Sequence, residues 1–161
     1  MTFLAAAVAG MATVLAMTAA DRAVKIFFLT HPAAGGVVVA GQLQLRLATN
    51  PDLAFSLPFP LALTLALSGA AVVLFVWWLV ATIYRRALVP TLALECIVAG
   101  AASNLTDRLR WGHVVDYIDV PWFTVFNLAD VLITAGVALL VLREVVCWGR
   151  RRRSDNVKLE T

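Results

Sequence analysis

The sequence predicts an all-α polytopic membrane protein, with four transmembrane helices and a small extracytoplasmic β-element. Three observations lead there. Apolar residues make up 61% of the 161-residue chain and charged residues only 14%, against roughly 45–50% and about 25% in soluble domains. Mean hydropathy is +0.87. The apolar residues also gather into four stretches long enough to cross a hydrocarbon core about 30 Å thick, which takes about 20 residues. Such a composition excludes a disordered chain, a disulfide-rich secreted module and an ordinary soluble enzyme. Cys96 and Cys147 lie far apart in apolar surroundings, so neither a zinc site nor a disulfide framework is signalled.

The first span is expected at about residues 2–29. Leu15-Ala16-Met17-Thr18-Ala19-Ala20 is similar to a small-residue cleavage site, but Met1-Thr2-Phe3-Leu4 carries no basic side chain. A secretory signal needs a positive start, so the span is expected to be retained. An outer loop follows at about 30–58. Within it Gln42-Leu43-Gln44-Leu45-Arg46-Leu47 alternates polar and apolar, which is the period of a strand with one apolar face. Gly35-Gly36 and Asn50-Pro51-Asp52 bracket it as turns. The strand lies on the lipid surface or lines a groove, or else is a small packed hairpin that merely joins two helices. The second span is expected at about 59–83 and the third, the shortest, at about 87–104, ending in the polar run Asn104, Thr106, Asp107, Arg108. A second outer loop at about 106–125 leads to the fourth span at about 126–146. A basic tail, 147–161, completes a single membrane domain.

Orientation follows from lysine and arginine near the span ends. One set of ends carries Arg85, Arg86, Arg143, Arg150, Arg151, Arg152, Arg153 and Lys158, while the other mixes Arg22, Lys25, Arg46, Arg108 and Arg110 with Asp21, Asp52, Asp107, Asp116 and Asp119. The uncompensated cluster should face the cytoplasm, leaving both termini inside and both loops outside. The net charge of +3 is thus largely a topology signal. Because the Arg150–Arg153 run directly follows a span, no nucleic-acid partner is expected.

Ionisable groups at membrane depth cost roughly 2.5–3.5 kcal/mol each on insertion scales, so each needs a reason. Asn127 followed three residues later by Asp130 is close to a capping box, with Asn127 as N-cap and Asp130 in the first helical turn. That role does not forbid catalysis. Asp116 sits among Val114, Val115, Tyr117 and Ile118, surroundings that desolvate a carboxylate and raise its pKa; a second carboxylate nearby raises it further. Two acids sharing a proton can activate water and protonate a carbonyl oxygen. Asp116 and Asp130 form one such pair, across an outward loop and a returning helix; Asp116 and Asp119 are the local rival. His31 and His113 have no metal-ligand spacing, and no GxSxG or phosphate-cradling glycine loop is present. Glu95 falls near the middle of the third span. It reads either as an internal structural contact or as the key residue of a small non-enzymatic transporter or channel subunit, acting with Asp21 and Lys25.

Ser103-Asn104-Leu105-Thr106-Asp107-Arg108, then Gly112-His113-Val114-Val115-Asp116-Tyr117-Ile118, then Phe126-Asn127-Leu128-Ala129-Asp130 resembles the bacterial lipoprotein signal peptidases (signal peptidase II). That family's pattern runs roughly G-N-L-x-D-R, G-x-V-V-D-F-I and F-N-x-A-D. Asp21 and Lys25 resemble its Asp-x-x-x-Lys, and Asn50, Ala54 and Phe55 its N-x-G-x-A-F-G. The resemblance covers nearly the whole chain and implies an intramembrane aspartyl endopeptidase, which cuts prolipoproteins just before a diacylglyceryl-modified cysteine. It implies that Asp116 and Asp130 are the catalytic pair, and that Asn50, Asn104, Arg108 and Asn127 bind substrate. It implies a monomer in the bacterial cytoplasmic (inner) membrane, in contact with lipid and with its site on the extracytoplasmic face. No metal or organic cofactor is implied. Four positions depart from the pattern: Asp52 and Ser56 stand where outer-loop glycines would be, Ser103 replaces the glycine before Asn104, and Tyr117 replaces Phe. Aspartate does not cheaply reproduce glycine's backbone freedom, so the Asp52 change bears on the outer-loop substrate contacts.

Overall fold

A computed structural model describes residues 2–39, 42–50, 59–121 and 123–159. Asp52, Ala54, Phe55 and Ser56 lie outside the described residues. The element order is α1 (Phe3–Thr30), β1 (Gly36–Val39), β2 (Leu43–Asn50), α2 (Leu61–Tyr84), α3 (Leu88–Trp111), β3 (Val114–Asp119) and α4 (Leu128–Leu159). All four helices are long and apolar enough to cross a membrane; the shortest, at 24 residues, reach about 36 Å at 1.5 Å per residue. The protein is a multi-pass membrane protein.

The helices do not share burial equally. The most apolar stretch of α3 is 56% buried, against 6–11% in the others, so α3 is the axis around which α1, α2 and α4 gather. Leu79, Ile83, Leu94, Ile97 and Val98 form the apolar centre, with Ala6, Ala7, Val14, Phe75 and Leu140 packed against it. Leu4, Val8, Met11, Leu15, Val73, Trp77, Leu142 and Val145 point outward, which places apolar side chains against lipid. In lipid, helices associate through close backbone approach rather than burial of apolar area. Gly100 and Gly136 provide that approach between α3 and α4: a side chain on Gly100 would collide with the Ala129 carbonyl, and one on Gly136 with the Ala93 carbonyl.

The expected polar–apolar strand is β2. Leu43, Leu45 and Leu47 are half-buried while Gln44 and Arg46 are exposed. It is the middle strand of an antiparallel three-stranded sheet, order β1-β2-β3, so the β-element is a packed sheet rather than a lone hairpin. The polar run expected to end the third span, and the first part of the loop expected after it, are instead the last turns of α3, which stops only at Trp111. Gly112 then takes a left-handed conformation (φ 76°) and its N–H reaches the Arg108 carbonyl, a glycine C-cap. The polar residues stay helical because they face protein, not lipid: Ser103, Asn104 and Asp107 are buried.

Candidate active site

The site lies where α1, α3, β3 and the start of α4 meet. Its geometry follows from a short reversal. Phe126 pairs with Ile118, donating to and accepting from its backbone at 2.9 and 2.8 Å, and a turn from Val120 to Phe123 closes the loop. Pro121 suits the second position of such a turn. The reversal returns the chain beside β3 immediately before α4 begins, so Asn127 lands against Asp116. Asn127 is fully buried. Its Nδ2 donates to Asp116 Oδ1 at 2.6 Å and its Oδ1 accepts the Asp130 N–H at 2.9 Å. One amide therefore links the two acids, which lie 14 positions apart along the chain (116 and 130).

Asp130 completes the expected capping box: its Oδ2 accepts the Asn127 N–H at 3.3 Å. Its other oxygen accepts Asn104 Nδ2 at 2.8 Å. The Asn104 amide can point only one way, because its Oδ1 faces Lys25 Nζ at 2.9 Å and an ammonium only donates. Lys25 in turn has all three donors engaged, the others on Asp21 Oδ2 and Asp107 Oδ2 at 2.8 Å each. Asp107 also accepts the Val115 N–H at 3.1 Å and pairs with Arg22, whose guanidinium stacks over Trp111. Asp21, Lys25 and Asp107 are fully buried. Buried charges are tolerable only when paired and hydrogen-bonded, and these meet that condition.

Asn50 sits diagonally across the β2–β3 ladder from Asp116, opposite Val114, and its side chain hydrogen-bonds Asp116. Arg108 lies near enough to interact with the charges of Asp130, Asp116 and Asp107. All six residues expected at the site are thus gathered in one place. The rival acid is not: Asp119, three positions along the strand, is on its opposite face and pairs with exposed Arg46. Asp116 is 2% exposed. Burial pushes its carboxyl up to about 7, and the nearby Asp130 charge pushes the same way, against Asn127, Lys25 and Asn50.

Glu95 stands apart. It is 5% exposed and backs onto Gly10 of α1, nine residues from Asn104 and so about 13 Å away along α3. Asp21 and Lys25 join the site's network rather than Glu95. Glu95→Gln is expected to leave the site's activity within about twofold of wild type, because an amide fills the same volume; a tenfold loss of turnover would tie Glu95 to the chemistry. Asp107, Ser103 and Tyr117 were not expected at the site, although Asp21 and Lys25, an acid and a base at helical i,i+4 spacing inside an apolar helix, were a signal for the network.

A sequence profile described as Signal peptidase (SPase) II matches residues 13–146. The chain belongs to the signal peptidase II family. Relatives from the same family are similar over part of their length. A lipoprotein signal peptidase of Bartonella tribocorum is 37% identical over 90 residues, covering 53% of this chain and 54% of the relative. One of Brucella ovis is 41% identical over 98 residues, 58% of each. The chain therefore matches little more than half the length of these relatives. Two solved bacterial membrane enzymes, determined by the in meso method, share the fold at TM-scores of 0.74 and 0.70, each 22% identical and covering 85% and 84% of this chain (87% and 91% of theirs).

Proposed function

We propose that this chain is a membrane aspartyl endopeptidase that removes signal peptides from diacylglyceryl-modified prolipoproteins. The observation that carries the reading is the pair of carboxyls joined through Asn127 in a chain of this family. Below about pH 7 Asp116, desolvated and beside a second acid, holds the proton. Asp130, with both oxygens accepting N–H donors, is the ionised partner. Asp130 takes a proton from water as its oxygen attacks the scissile carbonyl, and Asp116 donates to the carbonyl oxygen. Collapse of the tetrahedral intermediate breaks the C–N bond: the proton held by Asp130 leaves with the amine of the lipidated cysteine, and one hydroxyl of the intermediate returns its proton to Asp116 as the new carboxyl forms. Asn104 and Asn127 fix the acids, Arg108 supplies positive charge beside them, and Asn50 and Arg108 contact the substrate.

In this reading the site faces the extracytoplasmic side of the bacterial cytoplasmic membrane and both termini are cytoplasmic. The signal-peptide helix enters sideways from lipid, and a single copy suffices. The test is incubation of the purified chain with a diacylglyceryl-modified precursor. One cut just before the lipidated cysteine is expected, and no cut of that precursor sinks the reading.

The pH dependence follows from the same pair. The charged groups facing Asp116 are Asp130 from α4, Lys25 from α1 and Arg108 from α3, with Asn50 and Asn127 as neutral donors. Catalysis needs one acid protonated and one ionised, so kcat/KM should be bell-shaped. Its basic limb should begin near pH 7, where Asp116 loses its proton. Stability runs the same way. The folded pKa of Asp116 lies above its ordinary value of 3.8, so the folded state holds the extra proton, and the contribution of Asp116 falls as pH rises from about 4 to about 7. A profile rising monotonically to pH 9, or loss of activity with a chelator, would contradict this assignment.

A further inference from the structure

Two side chains where this chain departs from the family pattern, Ser103 and Tyr117, converge on one buried carboxylate. Ser103 Oγ donates to Asp21 Oδ2 at 2.6 Å and Tyr117 OH donates to Asp21 Oδ1 at 3.2 Å. Asp21 Oδ1 also accepts the Ala129 N–H at 3.1 Å, and Tyr117 OH accepts the Leu128 N–H at 3.0 Å. The first backbone N–H groups of a helix have no partner within it. In α4 those of Leu128, Ala129 and Asp130 are taken by Tyr117, Asp21 and Asn127 respectively. Tyr117 is 4% exposed, and its ring lies parallel to that of Phe28 in α1 at 5.4 Å between centroids, so its hydroxyl has little freedom to leave.

We infer that Tyr117 and Ser103 are positioning residues of this enzyme: their hydroxyls hold Asp21 against the first turn of α4 and thereby set where Asp130 meets Asp116. The inference rests on the proposed peptidase activity. Tyr117 lies next to Asp116 on β3 and its hydroxyl grips the residue two before Asp130, so one side chain couples the strand of one acid to the helix of the other. Without the hydroxyl, Leu128 loses its acceptor and Asp21 loses a donor, while the ring still stacks on Phe28. The acids stay in place on average but their separation is no longer held, which slows the chemical step without weakening substrate binding.

The experiment compares wild type, Tyr117→Phe, Ser103→Gly and the double variant, using a diacylglyceryl-modified precursor and hydrogen exchange at the Leu128 and Ala129 amides. Tyr117→Phe should fold normally, lower kcat about tenfold with KM within twofold, and speed exchange at those two amides at least tenfold while the rest of α4 is unchanged. Ser103→Gly should show a smaller loss of kcat. The double variant should lose less than the product of the two, because both hydroxyls act through Asp21. Unchanged kcat and exchange in Tyr117→Phe would overturn the inference, as would a rise in KM with constant kcat. If wild type cuts no precursor, the peptidase reading and the catalytic part of the inference both fall; the exchange rates then decide the clamp alone.

Discussion

Asp116→Asn and Asp130→Asn should each reduce precursor cleavage by at least about 10³-fold, within the range general acid–base groups contribute. Their structural consequences should differ. Asp116 accepts from Asn127 Nδ2 and also hydrogen-bonds the Asn50 side chain. The protonated acid already presents one acceptor and one donor, and an asparagine presents the same pair, its oxygen to Asn127 and its NH₂ to the Asn50 amide oxygen. Asp130 accepts at both oxygens, from Asn104 and from the Asn127 backbone. An amide there must turn its NH₂ toward one of these donors, so one hydrogen bond is lost and one donor is left facing another. Asp130→Asn is therefore expected to lose about 1–3 kcal/mol of stability, whereas Asp116→Asn should be close to neutral at pH 6, where the native acid is already protonated. Turnover measured alongside thermal unfolding separates the two effects. Cleavage by either variant within tenfold of wild type would remove that residue from the catalytic role.

Lys25→Met should have the largest effect on the fold. Lys25 is fully buried and its three N–H donors go to Asp21, Asp107 and Asn104. Without it two buried carboxylates lose their shared cation, and breaking a buried pair by removing one partner costs about 3–5 kcal/mol. For a chain of this size the expected fall in Tm is roughly 10 °C or more, measured in detergent micelles. Arg22 still pairs with Asp107, so the damage should centre on Asp21 and the start of α4. Residual activity should fall further than stability alone requires, because the Asn104 amide that donates to Asp130 then keeps only Asn127 Nδ2 on its oxygen and is held less firmly. A Tm within 2 °C of wild type, set against that expected shift, would show that the network does not hold the site together.

Much of this was legible in the sequence, and the rest was hidden for identifiable reasons. The four spans are set by hydropathy, and β2 by the strict alternation of Gln42 to Leu47. The capping relation of Asn127 and Asp130 followed from their spacing, and it is present in both directions. The length of α3 was not legible. A hydropathy window reads Ser103, Asn104, Asp107 and Arg108 as the end of a span, because it averages over faces and cannot know that these side chains point inward. Strand β3 was hidden for a related reason: Val114 to Ile118 is too short an apolar run, interrupted by Asp116, to carry a period of its own. The convergence of Ser103 and Tyr117 on Asp21 was beyond reach, since it depends on contacts between positions 82 and 96 residues apart.

The reliance of the first turn of α4 on distant partners has a consequence for biogenesis. The Ala129 N–H is satisfied by a residue 108 positions earlier, and that of Leu128 by a strand that needs β2 beside it. None of these contacts can form until the last helix has been threaded into the bilayer. A nascent chain halted before its fourth span holds Asp116 but neither Asn127 nor Asp130, so on the proposed reading the two acids can meet only after the last helix has been inserted.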